Sequence, residues 1–283
     1  MVLGLYSGLP LELLPGTAAF RCDGVPTVPV QVIPVDKLPP VAGELCGEDG
    51  IFRYYRKGGQ FYQLAIPGAE GSVSLTAYPA DFSKITLYIN EGAFPGVVRT
   101  ADKVLQLLPM KQLLAHHGAF LLHSSRIAVN GRAILFTAPS QTGKTTQARL
   151  WRQYAGAEIA GNDRTLLRMA GGEIITSGYP VDGSSPVYSG VELSLGAIAV
   201  LRQGPEDRAE RLPAAAALGR LMEQTALDAW NGEERTQAQR FWLDLLKRCP
   251  VYRLTCRPDE GAVQCLKNQL ERDEVIPGAV DTP

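Results

Sequence analysis

The feature that most constrains this chain is a segment near its middle, where an apolar run gives way to a glycine-containing turn and then to helical periodicity. The segment reads FTAPSQTGKTTQARLW from Phe136 to Trp151 and contains the pattern A-x-x-x-x-G-K-T at residues 138–145. Between a strand and a helix, this pattern is typical of a P-loop, whose backbone N–H groups and lysine hold phosphate oxygens. We therefore expect a buried strand over Ala133–Ala138, a phosphate-binding turn, and a helix over Gln141–Tyr154.

Each residue type in this turn has a mechanical reason. Gly143 lets the backbone approach phosphate oxygens, and the helix N-terminus adds about half a positive charge. Lys144 supplies an ammonium to the outer phosphates, and the hydroxyl of Thr145 is placed to bind Mg²⁺. The alternative is a plain helix cap followed by a surface lysine; the apolar run before the turn and the helical pattern after it favour phosphate binding. The predicted nucleotide-binding residues are Ser140, Gln141, Thr142, Gly143, Lys144, Thr145 and Thr146.

An acidic residue follows the next strand-like segment. In AEIAGNDRTLLR, Asp163 stands 19 positions after Lys144. A strand running parallel to the one before the turn, and joined to it by the intervening helix, would bring Asp163 beside Thr145. A carboxylate there can hold Mg²⁺ or take a proton from an acceptor hydroxyl. Asp163 is therefore predicted to be catalytic and, with Thr145, to bind metal; the alternative is an ordinary turn aspartate.

His123 is a third candidate. It precedes Asn130–Gly131, a strong two-residue hairpin signal that pairs its strand with the strand feeding the turn. This pairing places His123 near the end of the second strand where the turn lies, within reach of the phosphates. A histidine satisfied in the core or at a sheet edge is the alternative, and the residues alone leave both open.

Composition excludes several classes of protein. The chain has 283 residues and a formal net charge of -1, with no basic stripe that would indicate a nucleic-acid partner. No apolar run reaches transmembrane length and no signal-peptide pattern begins the chain, so we expect no membrane partner. The five cysteines are odd in number and irregular in spacing, which favours neither zinc nor disulfides and fits a cytoplasmic protein.

The distribution of strand and helix signals predicts two domains. Residues 1–95 read as a β-rich N-terminal domain of unknown role, in which the prolines of Thr27–Val35 favour an edge strand. Residues 96–275 read as the P-loop domain, beginning with a helix that Pro109 should split. Residues 276–283 read as a flexible tail.

Two loops are also expected in the second domain. The segment Arg202–Arg211 mixes charges of both signs and is typical of a solvated loop. The segment Ser177–Gly190 is rich in Gly, Ser and Pro; it is expected either to close over an acceptor or to be an ordinary solvated loop.

The strings LLHSSRIAVNGRAILFTAPSQTGKTTQARLW, GNDRTLLR and SGYPVDG together resemble the HPr serine kinase/phosphorylase group, which shares a P-loop fold with phosphoenolpyruvate carboxykinase. The resemblance covers about residues 115 to 270. It implies an α/β fold with a mixed-sheet P-loop domain and an N-terminal appendage of variable origin, together with ATP or another NTP, Mg²⁺ and phosphoryl transfer to a serine-type hydroxyl. The histidine that this family places before the P-loop falls on His123.

The chain departs from the family pattern at several positions. The paired aspartates of the family fall on Asn162 and Asp163, so an amide replaces one carboxylate. Thr146 stands where the bifunctional members carry an acidic residue, and the downstream Leu-Glu-x-Arg-Gly signature has no good copy. The HPr protein is therefore not the expected acceptor. The kinase-like members of peptide-modification pathways, including those of lasso peptides, look more similar, and many relatives form homo-oligomers.

The resulting expectation is an ATP-dependent kinase that phosphorylates a serine of a peptide or protein, with Lys144, Asp163 and His123 as catalytic residues. Two alternatives stay open. One is a nucleotide-binding regulator or scaffold with a degenerate active site, marked by Asn162. The other is a phosphate-binding module in which residues 1–95 grip a peptide.

Overall fold

The computed structural model describes residues 1–41, 43–181, 187 and 189–277. It divides into two compact units: the first combines Met1–His117 with Leu227–Arg235, and the second combines Gly118–Ala226 with the chain from Thr236 onward. The boundary predicted between residues 95 and 96 lies earlier in the chain, before two helices that the structure groups with the first unit. Of the predicted tail, Ile276 is buried in the core of the second unit, and residues 278–283 lie outside the described residues.

The first unit is built mainly of strands. Its elements are β1 (Leu3–Ser7), α1 (Pro15–Ala18), β2 (Val28–Val35), β3 (Glu44–Asp49), β4 (Phe52–Lys57), β5 (Gln60–Ala65), β6 (Ser74–Pro79), β7 (Ile85–Asn90), α2 (Ala101–Leu107) and α3 (Met110–His116). The strands form one sheet in the order β1-β2-β7-β6-β5-β4-β3. Strands β1, β2 and β7 run parallel, and the others form an antiparallel meander. The β3–β4 and β4–β5 hairpins form around short turns that contain Gly50 and Gly58–Gly59.

The edge position predicted for Thr27–Val35 is wrong. This segment forms β2, which lies between β1 and β7. The strand that covers it, β1, comes from an N-terminal segment whose Gly and Pro residues hide the strand pattern. The prolines therefore did not exclude pairing on both sides of β2.

The helix predicted over residues 100–116 is split, as expected, at Pro109. The break frees the carbonyl of Leu107, because the next residues leave the helical hydrogen-bond pattern. Gln63 Nε2 donates to this oxygen at 3.0 Å and Thr76 Oγ1 donates at 2.9 Å. The two strand side chains thus provide hydrogen bonds to the carbonyl that the kink leaves without a helical partner, and they hold α2 and α3 on the first sheet.

The segment Leu227–Arg235 completes the interior of the first unit with charged groups. Asp228 and Glu234 are each only 2 % exposed. Lys111 Nζ lies 2.5 Å from Asp49 Oδ2 and 3.1 Å from Asp228 Oδ1. The backbone N–H of Asp228 donates to Glu234 Oε2 at 3.2 Å. Burial, with the adjacent Asp228, raises the pKa of Glu234 to about 8.

The second unit alternates strands and helices. Its elements are β8 (Ala119–Val129), β9 (Arg132–Thr137), α4 (Lys144–Ala155), β10 (Glu158–Gly161), β11 (Arg164–Ala170), β12 (Glu173–Ser177), β13 (Leu193–Gln203), β14 (Arg208–Arg211), α5 (Ala214–Gln224), α6 (Gly232–Leu246, whose first turn belongs to the first unit), β15 (Val251–Cys256) and α7 (Glu260–Arg272). Strand β9 is parallel to β13, which is parallel to β15. The fold is therefore mixed α/β with two mixed sheets.

Strand β8 pairs with different strands along its length. Its first half, up to His123, pairs with β11, and its second half, from Ser124, pairs with β9. Strand β10 pairs with the second half on the side away from β9. The switch from one partner to the next thus occurs at His123 and Ser124.

Helices α4 and α7 bury one face of the second sheet. Alternate residues of β9, β13 and β15 point toward these helices, including Phe136, Leu201 and Leu254, and they pack with Trp151 and Leu266. Strand β13 lies between β9 and β15 and is apolar on both faces, a pattern typical of a parallel strand inside a sheet. No helix in the described part of the chain is both long and apolar enough to cross a bilayer.

The charged segment Arg202–Arg211 was predicted to be a solvated loop, and this prediction is wrong for part of the segment. Its second half forms β14, which pairs antiparallel with β15 at the edge of the sheet. Ion pairs hold the strand, with Glu210 bound by both Arg208 and Arg253. A charged edge strand and a solvated loop thus have similar sequence patterns, which is why the strand was not predicted.

Candidate functional site

The turn at residues 138–145, which we call the G-K-T turn, connects β9 to α4 as the sequence predicts. Gly143 precedes the helix with φ of +114°, and Gln141 has φ of +64°. A Cβ added to Gly143 would meet no atom within 4 Å. The turn therefore needs glycine for its backbone conformation, and the space next to it is open for a ligand.

Lys144 is held by the turn itself. The residue is only 7 % exposed, and its Nζ donates to the carbonyls of Ala138 at 2.9 Å and Pro139 at 3.1 Å. Burial lowers the pKa of Lys144, and the nearby Asp163 carboxylate partly opposes that effect. The ammonium is thus fixed in place, and it is coupled electrostatically to Asp163.

Asp163 comes to this site through the direction of β10. Strand β10 is antiparallel to β8, and β8 is antiparallel to β9, so β10 runs parallel to β9 with β8 between them. The predicted parallel strand is therefore confirmed. The backbone N–H of Ser124 donates to the carbonyl of Asp163 at 3.0 Å, which fixes the chain there. The side chain of Asp163 remains 26 % exposed, with Arg164 Nε 3.7 Å from its Oδ2 atom.

His123 lies beside Asp163. Its Nε2 atom is 3.5 Å from Asp163 Oδ1, and its backbone carbonyl accepts from Thr137 Oγ1 at 2.9 Å. Burial, followed by the positive charge of Lys144, lowers the pKa of His123, although Asp163 and a hydrogen bond to the Gln224 side chain act the other way. The imidazole is therefore neutral at neutral pH, and its contact with Asp163 is not an ion pair.

Two serines that follow His123, for which no role was predicted, hold the site together. Ser125 Oγ donates to the carbonyl of Lys144 at 2.8 Å. Ser124 Oγ donates to Thr165 Oγ1 at 2.8 Å, just beyond Asp163. Their position within LLHSS was visible in the sequence, but nothing there showed that they bind the two segments carrying Lys144 and Asp163.

A fully buried arginine supports the site from behind. The Arg126 guanidinium donates to the carbonyls of Thr176, Val191, Ala160 and Ser189 at 2.8–3.2 Å. Ala160 lies in β10 shortly before Asp163. Arg126 thus ties that strand to β12 and to the chain after residue 188. Of the loop predicted over Ser177–Gly190, residues 182–186 and 188 lie outside the described residues.

The candidate residues line one cavity of about 270 Å³. Its lining consists of His123, Ser140, Gln141, Gly143, Lys144, Thr145, Thr146, Asn162 and Asp163. The structure therefore brings together the predicted catalytic residues and every predicted nucleotide-binding residue except Thr142. Thr142 lines a neighbouring cavity of about 400 Å³ between the G-K-T turn and the carboxyl ends of β13 and β15.

The predicted metal ligands, Thr145 and Asp163, both line the 270 Å³ cavity. In the described residues, no group of three or more His, Cys, Asp or Glu side chains is arranged to hold a metal ion. Mg²⁺ in phosphoryl-transfer sites takes one or two protein oxygens and completes its shell with phosphates and water. One hydroxyl and one carboxylate fit that need.

Comparison with known proteins gives little beyond this geometry. No protein-family model matches the chain, and no curated protein matches it either. A solved structure, the Hpr(Ser) kinase/phosphatase from Coxiella burnetii, matches with a TM-score of 0.32 and 10% sequence identity. The match covers 54% of this chain and 98% of that one. A likeness of this degree carries no argument about the site.

Proposed function

We propose that this protein is an ATP-dependent kinase that transfers a phosphoryl group to a serine-type hydroxyl of a peptide or protein. The observation that supports this best is that Lys144, Asp163 and His123 line a single cavity with Gly143 and Thr145. A phosphate cradle, a metal-binding hydroxyl and a proton acceptor are the parts that phosphoryl transfer requires.

The residues of the G-K-T turn fit a triphosphate. The open space beside Gly143 would be filled by a Cβ, so the turn leaves room for phosphate oxygens at the backbone. The Lys144 ammonium has three donors, and the two carbonyls of the turn accept from two of them. When bound, Mg-ATP supplies the transferable phosphoryl group and the charge that Thr145 and Asp163 would hold.

Asp163 is proposed to take the proton of the acceptor. The acceptor hydroxyl oxygen bonds to the terminal phosphorus while the bond from that phosphorus to the bridging oxygen breaks. The hydroxyl proton passes to Asp163, and ADP leaves. Neutral His123, 3.5 Å from Asp163, orients the carboxylate and the hydroxyl.

The amide at Asn162 does not remove this base. Both Asn162 and Asp163 line the cavity, and Asp163 is the more exposed of the two. One carboxylate therefore remains at the cavity, and we assign the role of base to it. The resemblance to kinase-like members of peptide-modification pathways makes a serine-containing peptide the proposed acceptor.

The test is phosphorylation of serine peptides by the purified chain with Mg-ATP. We expect Lys144→Ala to lower the rate about 10²–10³-fold, as removal of one preorganised donor does. We expect Asp163→Asn to lower it by a similar factor, because an amide cannot accept the proton. Lys247→Ala is a matched control, since Lys247 is exposed and pairs with Asp244 on α6.

Calorimetry with Mg-ATP separates the possible failures. Binding that Lys144→Ala weakens, without any phosphorylated product, would support a nucleotide-binding regulator in place of a kinase. Absence of binding at millimolar nucleotide would overturn both.

A further inference from the structure

We propose that a second cavity beside the G-K-T turn binds the acceptor through a carboxylate that lies close to the reacting hydroxyl. This inference rests on the proposed kinase function and names the substrate class of that site. The cavity has a volume of about 500 Å³. Its lining consists of Ala138, Pro139, Val200, Leu201, Arg202, Leu212, Ala216, Arg220, Glu223, Gln224 and Arg253.

The position of the cavity relates it to the reacting groups. One end is formed by Ala138 and Pro139, whose carbonyls hold the Lys144 ammonium. The other end is formed by Gln224 of α5, whose side chain is hydrogen bonded to His123. The cavity thus borders both the phosphate-holding turn and Gln224, the hydrogen-bond partner of His123.

The cavity lies on the face of the sheet opposite to α4. Leu201 and Leu254 pack into the core under α4 and α7. Val200 and Arg253 are directly paired in the parallel ladder and alternate with those leucines, so they point to the other face. A nucleotide extending from the G-K-T turn would enter the cavity lined by Thr142 and Thr146. Leu201 and Arg202 line both cavities, so Arg202 lies where the proposed nucleotide and acceptor sites meet.

The charges of the cavity indicate an anion. Three arginines line it, against a single carboxylate, Glu223. Arg220 Nη1 lies 3.1 Å from Glu223, and Arg253 Nη2 lies 3.2 Å from Glu210. In the part of the chain that the structure describes, Arg202 makes no ion pair within 4.0 Å.

Arg202 is therefore the guanidinium whose charge is left for a ligand. Its planar fork of donors matches a carboxylate, which it can bind with two parallel hydrogen bonds. A carboxylate of the acceptor peptide can come from an acidic side chain beside the serine or from the C-terminus of the peptide. Either source presents the same group to Arg202.

The experiment measures binding of fluorescent peptides by anisotropy, with Mg²⁺ and a non-hydrolysable ATP analogue present. All peptides contain one serine. The first is neutral and amidated, the second carries aspartate one to three residues from the serine, and the third is neutral with serine at a free C-terminus. We expect one of the last two to bind about 10- to 100-fold more tightly than the first, as for a charge-assisted bidentate contact.

Substitutions assign that difference to the cavity. Arg202→Gln should abolish the preference, and Arg202→Glu should transfer it to a peptide with lysine in place of aspartate. Arg240→Gln, an exposed arginine on α6, should leave the preference unchanged. Thermal unfolding of each variant checks that it is folded.

The outcomes distinguish this inference from the kinase proposal. Equal affinity for neutral and carboxylate peptides, absence of binding by all of them, or a preference that survives Arg202→Gln would overturn the inference. Phosphorylation of neutral and acidic peptides at equal rates would overturn it too, while leaving the kinase function intact. Failure of the wild-type chain to bind Mg-ATP would overturn the kinase function itself.

Discussion

The Nε2 atom of His123 lies 3.5 Å from the Oδ1 atom of Asp163, and both side chains interact electrostatically with Lys144. This distance is long for a direct hydrogen bond, and an acceptor hydroxyl lying to one side of the two atoms could contact both. Burial and the charge of Lys144 both disfavour a charged imidazole, which keeps His123 neutral beside the carboxylate. Protonation of His123 is thus coupled to the residue that is proposed to hold the phosphate.

The first prediction concerns the titration of His123. Because burial and the charge of Lys144 lower its pKa, we expect a midpoint below the ordinary value of 6.5. Lys144→Met should move the midpoint upward. Imidazole NMR signals measure this directly, since the chain has three histidines and His123→Gln identifies the signal. A midpoint that is the same with and without Lys144 would contradict the proposed coupling.

The second prediction concerns Gly143. Alanine at φ of +114° should cost about 1–2 kcal/mol of stability, and its Cβ would occupy the space proposed for phosphate. Gly156→Ala is the matched control, because Gly156 ends α4 with φ of +66° and its Cβ would also meet open space. Both variants should be destabilised in urea unfolding. Only Gly143→Ala should lose affinity for Mg-ATP, by more than about tenfold.

The third prediction concerns the pH dependence of stability. The pKa of Glu234 is raised to about 8 in the folded protein, so the folded state holds a proton that the unfolded chain releases. The resulting stabilisation is complete below about pH 4.5 and is lost as pH rises through 8, at about 1.4 kcal/mol per pKa unit. Urea unfolding at about pH 5, 7 and 9 should show this fall. Glu234→Gln should flatten it, and Glu233→Gln, at the exposed neighbour, should not.

The fourth prediction concerns Arg126. Arg126→Met should cost at least about 3 kcal/mol, because four buried or half-buried carbonyls lose their donor. Arg168→Met, at a partly exposed arginine of β11 paired with Glu192, should cost less than about 1 kcal/mol. Free energies of unfolding from urea titrations decide between these values. Equal costs for the two variants would show that the Arg126 contacts do not support the site.

The local parts of the site could be predicted because neighbouring residues determine them. The strand, turn and helix around Gly143 follow one another within about twenty residues. The hairpin at Asn130–Gly131 adopts positive φ at both residues, as its composition indicates. Pro109 splits its helix because proline has no backbone N–H to donate and its ring clashes with the preceding turn.

Other parts depend on residues distant in sequence and could not be predicted. Gln224 reaches His123 from α5, and no spacing rule connects them. Strand β1 pairs with β2 although its own residues carry no clear strand pattern, which made the prolines of β2 misleading. Arg202 lines a cavity because β13 and α5, which are distant from the G-K-T turn in sequence, lie close together there.

The return of the chain to the first unit has a consequence for dissecting this protein. Trp230 lies against the Tyr54 ring, 4.8 Å between centroids, and a Cβ on Gly47 would come within 2.0 Å of the indole. A fragment that stops at residue 117 would lack this indole and both buried carboxylates, leaving Lys111 without its interior counter-charge. Studies of the N-terminal unit in isolation should therefore supply residues 227–235 by a covalent graft, because a simple truncation removes part of its own core.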